Sequence, residues 1–116
     1  MKNYIIIGGY SQDSYYLTKS ILKKKNSKVY LIVRKKVKNK IYKNKNIIIK
    51  TINILNFNEI KKFLKNFKNC YIIFLASKNI SSEEKENKEI LLENIGINVL
   101  ALVNFLEYIN NYNKNI

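Results

Sequence analysis

Histidine and proline are missing altogether from the sequence, and cysteine occurs once. With no histidine and a lone Cys70, no Cys/His cluster can hold zinc. No intrachain disulfide can form either, so nothing marks an oxidising compartment. Cys70 stands directly before an apolar run and reads as a small packed hydrophobe. Three glycines and no proline leave no stretch with the composition of a linker, and 116 residues suit one domain spanning 1–116. No apolar run approaches the ~20 residues of a membrane span. The N-terminal run is cut by Gly8 too early for a signal peptide, so the chain reads as cytoplasmic, without membrane contact. Acidic residues are scarce, 8 against 22 lysines and arginines, for a formal charge of +14. The excess is spread along the chain as lysine mixed with asparagine and isoleucine, the mixture an AT-rich coding sequence gives. Nucleic acid is therefore not the expected partner, although the positive field still favours polyanions such as dinucleotides and nucleotide sugars.

What the chain does have is concentrated in Tyr4–Leu17, YIIIGGYSQDSYYL. Tyr4-Ile5-Ile6-Ile7 has the length of a buried strand with no polar face. Gly8-Gly9 ends it where positive φ and a sharp turn are available, and Gln12-Asp13-Ser14 opens a segment with helical spacing. Strand, glycine turn and helix N-terminus in that order can cradle a phosphate, because free N–H groups and the positive end of the helix dipole converge on one spot. As a G-x-x-G-x-x-G fingerprint the stretch keeps the first glycine and has Ser11 and Ser14 at the other two positions. On its residues alone it stays open between a nucleotide cradle and an ordinary strand-to-helix turn, with a hairpin at Gly8-Gly9 as a third reading.

Ser14, Leu17, Ile21 and Leu22 recur at helical spacing, and Lys23-Lys24-Lys25 followed by Asn26 as C-cap is the expected helix end. Val29–Val33 reads as the second strand, followed directly by the basic Arg34-Lys35-Lys36. Residues 35–46 read as a solvated loop with room for one helical turn, and Ile47-Ile48-Ile49 as a third strand. Asn56 or Asn58 caps the next helix. Its inner face is Phe57, Ile60, Phe63, Leu64 and Phe67, aromatics of the core and not a base-stacking platform. Cys70–Leu75 is the fourth strand. Ser81-x-x-Glu84 is a capping box opening a long helix to about Asn110, with a tail that frays after Ile109. Strands alternating with helices imply a parallel sheet with right-handed crossovers in the order 3-2-1-4. The ligand crevice is expected between strands 1 and 4 at their carboxyl ends.

Several stretches have family counterparts: Gln12-Asp13, Tyr16-Leu17 and Val33-Arg34 within residues 6–35, then Asn53-Ile54 where a family pattern has Asp-Leu. Leu75-Ala76-Ser77-Lys78-Asn79 falls where Leu-Ala-Ala-Gln-Ser follows strand 4, and Asn98 with Leu106-Glu107 fits a helix written N-x-x-G-x-x-x-x-L-E. On these residues the chain resembles the extended short-chain dehydrogenases of the NAD-dependent epimerase/dehydratase family, the GDP-mannose 4,6-dehydratases nearest. The resemblance spans nearly the whole chain but about the first third of such an enzyme. It implies a partial Rossmann-like three-layer α/β fold with a four-stranded parallel sheet (order 3-2-1-4), truncated before the catalytic half.

The same resemblance implies a cofactor site. Gly8 and Gly9 with the N–H groups of Tyr10, Ser11, Gln12 and Asp13 would hold the pyrophosphate. Arg34, aided by Lys35, would meet a ribose 2′-phosphate, so NADP is preferred over NAD. Asn53 and Ile54 would face the adenine, the Asn53 oxygen accepting from its amine in place of a carboxylate. Leu75, Ala76, Ser77, Lys78 and Asn79 would line the ribose and nicotinamide side. The family's Ser or Thr and its Tyr-x-x-x-Lys pair lie beyond the stretch that matches. Tyr15 and Lys19 have that spacing but sit on the first helix, on the wrong element to reach a nicotinamide. The expected function is the NADP-binding portion of a nucleotide-sugar dehydratase or epimerase, not catalytic alone, either as a truncated reading frame or as one chain of a split enzyme whose second chain supplies the catalytic half. The alternative is a non-catalytic dinucleotide-binding or protein-interaction module, possible as a homo-oligomer, since half a doubly wound sheet leaves strand 4 as an open edge.

Overall fold

A computed structural model describes residues 1–35, 42–76, 89, 92 and 99–112 of the chain. Its elements follow in the order β1 (Lys2–Ile7), α1 (Gln12–Leu22), β2 (Ser27–Val33), β3 (Ile47–Thr51), α2 (Phe57–Leu64), β4 (Cys70–Phe74) and α3 (Ala101–Tyr112). The four strands form one sheet in the order β3-β2-β1-β4, parallel at every pairing. This is the Rossmann-like α/β arrangement the alternating pattern predicts.

β1 lies at the centre because it can be buried on both sides: Ile5, Ile6 and Ile7 are all fully enclosed. Successive residues point to opposite faces. Tyr4 and Ile6 join Ile21 of α1 with Val29 and Leu31 of β2 in one cluster. Ile5 and Ile7 join Ile60 and Leu64 of α2 with Phe105 and Tyr108 of α3 in the other. The sheet is thus sandwiched, α1 against one face and α2 with α3 against the other. Asn56 is the cap of α2, its Oδ1 accepting from the N–H groups of Asn58 (3.1 Å) and Glu59 (3.4 Å), which decides between the two asparagines.

Some expectations need correcting. The C-cap of α1 is Lys23. Asn26 instead takes a left-handed conformation (φ 59°) three residues on, one that asparagine tolerates better than most residues. Its carbonyl accepts from the Lys2 N–H at 2.7 Å, aligning β2 beside β1. Within the connection read as a solvated loop, Tyr42 is buried, its ring packed against those of Tyr10 and Tyr15. The last helix continues past Ile109 to Tyr112. The capping box Ser81–Glu84 and the tail beyond 112 lie outside the described residues.

Candidate functional site

The chain leaves β1 through two glycines that cannot be exchanged for a larger residue without movement. Gly8 sits at φ 96°, and a Cβ there would come within 2.9 Å of the Ala76 backbone nitrogen. A Cβ on Gly9 would meet the Leu31 Cβ at 2.7 Å and the Val33 Cγ1 at 2.9 Å. Both N–H groups are donated to the Ile32 carbonyl at 3.1 Å, so the turn is pinned to β2. The two serines at the glycine positions of the fingerprint then lock the start of α1. Ser11 is its N-cap, and its Oγ accepts from the Ser14 N–H at 3.1 Å. Ser14, fully buried, donates its hydroxyl to the Gly9 carbonyl at 2.9 Å. The space a third glycine would leave is filled by a small side chain that satisfies the turn. The Ser11 N–H is itself donated to the Gly8 carbonyl at 3.2 Å. Of the amides expected to face a diphosphate, those of Gln12 and Asp13 are the ones in the first turn of α1, where no intrahelical acceptor exists.

Above this turn lies a cavity of about 750 Å³ at the carboxyl ends of the strands. Gly8, Gly9, Tyr10 and Ser11 line it from β1, Arg34 and Lys35 from β2, Asn53 and Ile54 from β3, and Ala76 from beyond β4. A parallel sheet does this by construction, since every strand ends on the same edge. Ile7, Ile32, Val33, Ile52 and Leu55 complete the walls. They were missed by sequence reasoning because the last residues of an apolar run look like core. The cavity extends further toward β3 than the expected crevice between β1 and β4. Gln12, Asp13 and Leu75 do not line it. Leu75 continues the ladder, its N–H donated to the Ile7 carbonyl at 2.8 Å. Ser77, Lys78 and Asn79 fall outside the described residues.

Two polar details shape the rim. The Asn53 Oδ1 accepts from the Leu55 N–H at 3.0 Å, so the oxygen expected to meet a ligand's amine is engaged within the chain. The Asn53 N–H is donated to Glu59 Oε2 at 3.3 Å, tying this rim to α2. Tyr15 and Lys19 line a different cavity, about 330 Å³ between α1 and the residues preceding β3. There the Lys19 ammonium lies 5.3 Å from the Tyr15 ring centroid. Burial pushes the Tyr42 phenol above its ordinary 10.0, and its neighbours Tyr10 and Tyr15 act in the same direction. Among the described residues no group of His, Cys, Asp and Glu could hold a metal ion. No helix among them is long and apolar enough to cross a membrane.

Solved structures with this fold include enzymes longer than this chain. A short chain dehydrogenase from Leptospira borgpetersenii with bound NAD+ matches at a TM-score of 0.74 and 22% identity, over 92% of this chain and 44% of that one. dTDP-glucose 4,6-dehydratase from Bacillus anthracis in complex with NAD matches at 0.74 and 17%, over 97% and 34%. Thermus thermophilus UDP-glucose 4-epimerase in complex with NAD matches at 0.73 and 14%, over 95% and 34%. The chain therefore spans less than half the length of these structures. No curated protein matches it. The sequence itself, from residue 4 to residue 115, fits the pattern of one family, and with a parallel sheet opening on a glycine turn the conclusion follows that this chain belongs to the NAD dependent epimerase/dehydratase family.

Proposed function

We propose that residues 1–116 form a cofactor-binding domain that takes a nicotinamide dinucleotide, NADP in preference to NAD. In this reading it is the cofactor-holding portion of a nucleotide-sugar dehydratase or epimerase of the GDP-mannose 4,6-dehydratase kind. The observation that carries the reading is the single cavity bordered by both the Gly8–Ser11 turn and Arg34-Lys35. The turn ahead of α1 suits a diphosphate, and the cationic end of β2 suits a phosphate on the adenosine ribose. The residues fit the group: the two glycines let the turn pack tightly against β2 and the chain after β4, and the apolar strand ends line the cavity. When bound, a nicotinamide ring supplies a reversible hydride acceptor for sugar oxidation. This chain's residues bind and orient it, while proton transfer falls to groups elsewhere, since Tyr15 and Lys19 line another cavity.

The test is a calorimetric titration of the purified chain with NADP and with NAD. NADP is expected to bind more tightly. Arg34→Ala is expected to weaken NADP about tenfold or more, the worth of a charge-assisted hydrogen bond, and to leave NAD nearly unchanged. Equal binding of the two overturns the NADP preference, and binding of neither overturns the whole reading. The alternative, a non-catalytic interaction module, draws on the exposed apolar flank of α3, where Val103 and Leu106 face outward.

A further inference from the structure

The β1–α1 turn carries one aromatic residue, Tyr10, between Gly9 and Ser11. On either side of it the backbone is pinned: Gly8 and Gly9 donate to the Ile32 carbonyl, and Ser11 donates to that of Gly8. Tyr10 lines the large cavity, yet it also packs against the buried cluster on the α1 side of the sheet. There its ring meets that of Tyr42, the centroids 5.6 Å apart and the planes at 52°.

Tyr42 is backed in turn by Tyr15 of α1, the centroids 6.2 Å apart and the planes at 89°. Both separations lie in the range over which aromatic rings attract, and the second pair has the edge-to-face geometry that their quadrupoles favour. Tyr42 is buried, so a side chain without a ring leaves a gap that its neighbours close only in part. It does not line the large cavity, but borders the smaller one together with Tyr15. Among the described rings, Tyr10 is therefore the link between Tyr42 and the large cavity. Tyr42 also belongs to the connection that leaves β2 at Arg34-Lys35, the cationic wall of that cavity. Its contact with Tyr10 ties this connection to the turn.

We infer that Tyr42 is a positioning residue for the dinucleotide: its ring holds Tyr10, and with it the β1–α1 turn, in the shape that receives the diphosphate. The inference rests on the dinucleotide reading given above. Both contacts of Tyr42 are made by the ring, so the ring carries the effect and the hydroxyl is dispensable.

The test is a calorimetric titration of NADP into the full chain and its variants, each shown by urea unfolding to be folded under the conditions used. Tyr42→Leu is expected to weaken NADP about fivefold, the worth of one aromatic pair. Tyr42→Phe keeps the ring and is expected to bind within about twofold of the wild type. Tyr10→Leu is expected to weaken NADP at least as much as Tyr42→Leu. The double variant is expected to bind as Tyr10→Leu alone does, because residues acting through one contact do not add. Tyr4→Leu is the control for packing loss: Tyr4 lies in the same cluster, but its ring stacks on Tyr71 of β4, away from the turn. It is expected to lower stability and to leave NADP affinity unchanged. Should Tyr42→Leu not fold, Tyr42→Met, of similar bulk and more adaptable, takes its place in the cycle. Unchanged binding in the ringless Tyr42 variant, additive losses in the double variant, or equal weakening by Tyr4→Leu overturns this inference and leaves the dinucleotide reading standing. A wild type that does not bind NADP overturns both.

Discussion

At the scale of single residues, the β1–α1 turn depends on two missing side chains and two small polar ones. The two glycines do different jobs. Gly9 is needed for space, because its Cβ would press on Leu31 and Val33 side chains. Gly8 is needed for space and for conformation, because it combines a positive φ with a backbone neighbour at 2.9 Å that no rotamer change can move. Gly9→Ala is therefore expected to destabilise the fold by about 1–3 kcal/mol, the usual cost of overpacking. Gly8→Ala is expected to cost at least ~1 kcal/mol more from the left-handed backbone alone. Urea unfolding of the two variants beside the wild type measures both, and equal stabilities would refute the assignment. Ser11 and Ser14 depart from the fingerprint without opening the turn, since their hydrogen bonds join the Gly9 carbonyl to the first turn of α1. A pattern search that scores only glycine penalises these positions, although the physical requirement at Ser14 is a small side chain.

At the scale of elements, β4 and α3 meet through a pair of titratable groups. Cys70 and Tyr108 belong to one buried cluster. Burial pushes the Cys70 thiol from 9.0 up to about 11. It also raises the Tyr108 phenol, with Cys70 acting in the same direction. Because the folded thiol holds its proton longer than the unfolded one, its contribution is fully present below pH 9.0 and is lost as the pH climbs to about 11. The stability difference between wild type and Cys70→Ala, from urea unfolding at stepped pH, is expected to be flat below pH 9.0 and to shift against the wild type between there and about 11. A difference independent of pH would show the thiol to be solvated. Elements of this kind were the legible part of the sequence. Four apolar runs gave the strands and their order, and the spacing of Ile60 and Leu64 gave the inner face of α2, because periodicity reports burial directly. Thr18 was not legible. It is buried one turn after Ser14, and a polar residue on an inner face carries no hydrophobic signal. Nor was Tyr42, whose burial depends on Tyr10 and Tyr15, partners far away in sequence. For the cavity, the residues beside a turn or a charge could be named in advance. The hydrogen bond from the Leu55 N–H to the Asn53 oxygen could not, because it depends on the shape of the chain after β3.

At the scale of the whole molecule, two features oppose each other. The chain carries a formal charge of +14, which holds copies apart. It also exposes apolar surface: Val103 is 43% and Leu106 56% accessible on α3, and Tyr71 is 54% accessible on β4. Among the described strands, β4 is an edge of the sheet with β1 as its sole partner. Edges and apolar patches of this kind drive association when nothing covers them. Repulsion between like charges is screened over about 8 Å at physiological ionic strength, while contact between apolar side chains is not weakened by salt. Self-association is therefore expected to increase as sodium chloride is raised, seen as a rising weight-average mass in sedimentation experiments at fixed protein concentration. Replacing Val103 and Leu106 together by lysine is expected to keep the chain monomeric throughout, because it removes apolar area and adds charge at the same place. The sign of the salt effect separates this from polyanion binding, since affinity for nucleic acid falls steeply as counterions compete for the phosphates. A wild type that stays monomeric at high salt would refute the expectation, and a double variant that associates as the wild type does would mean that the outward face of α3 contributes no association energy. Assembly would then have to be sought at β4.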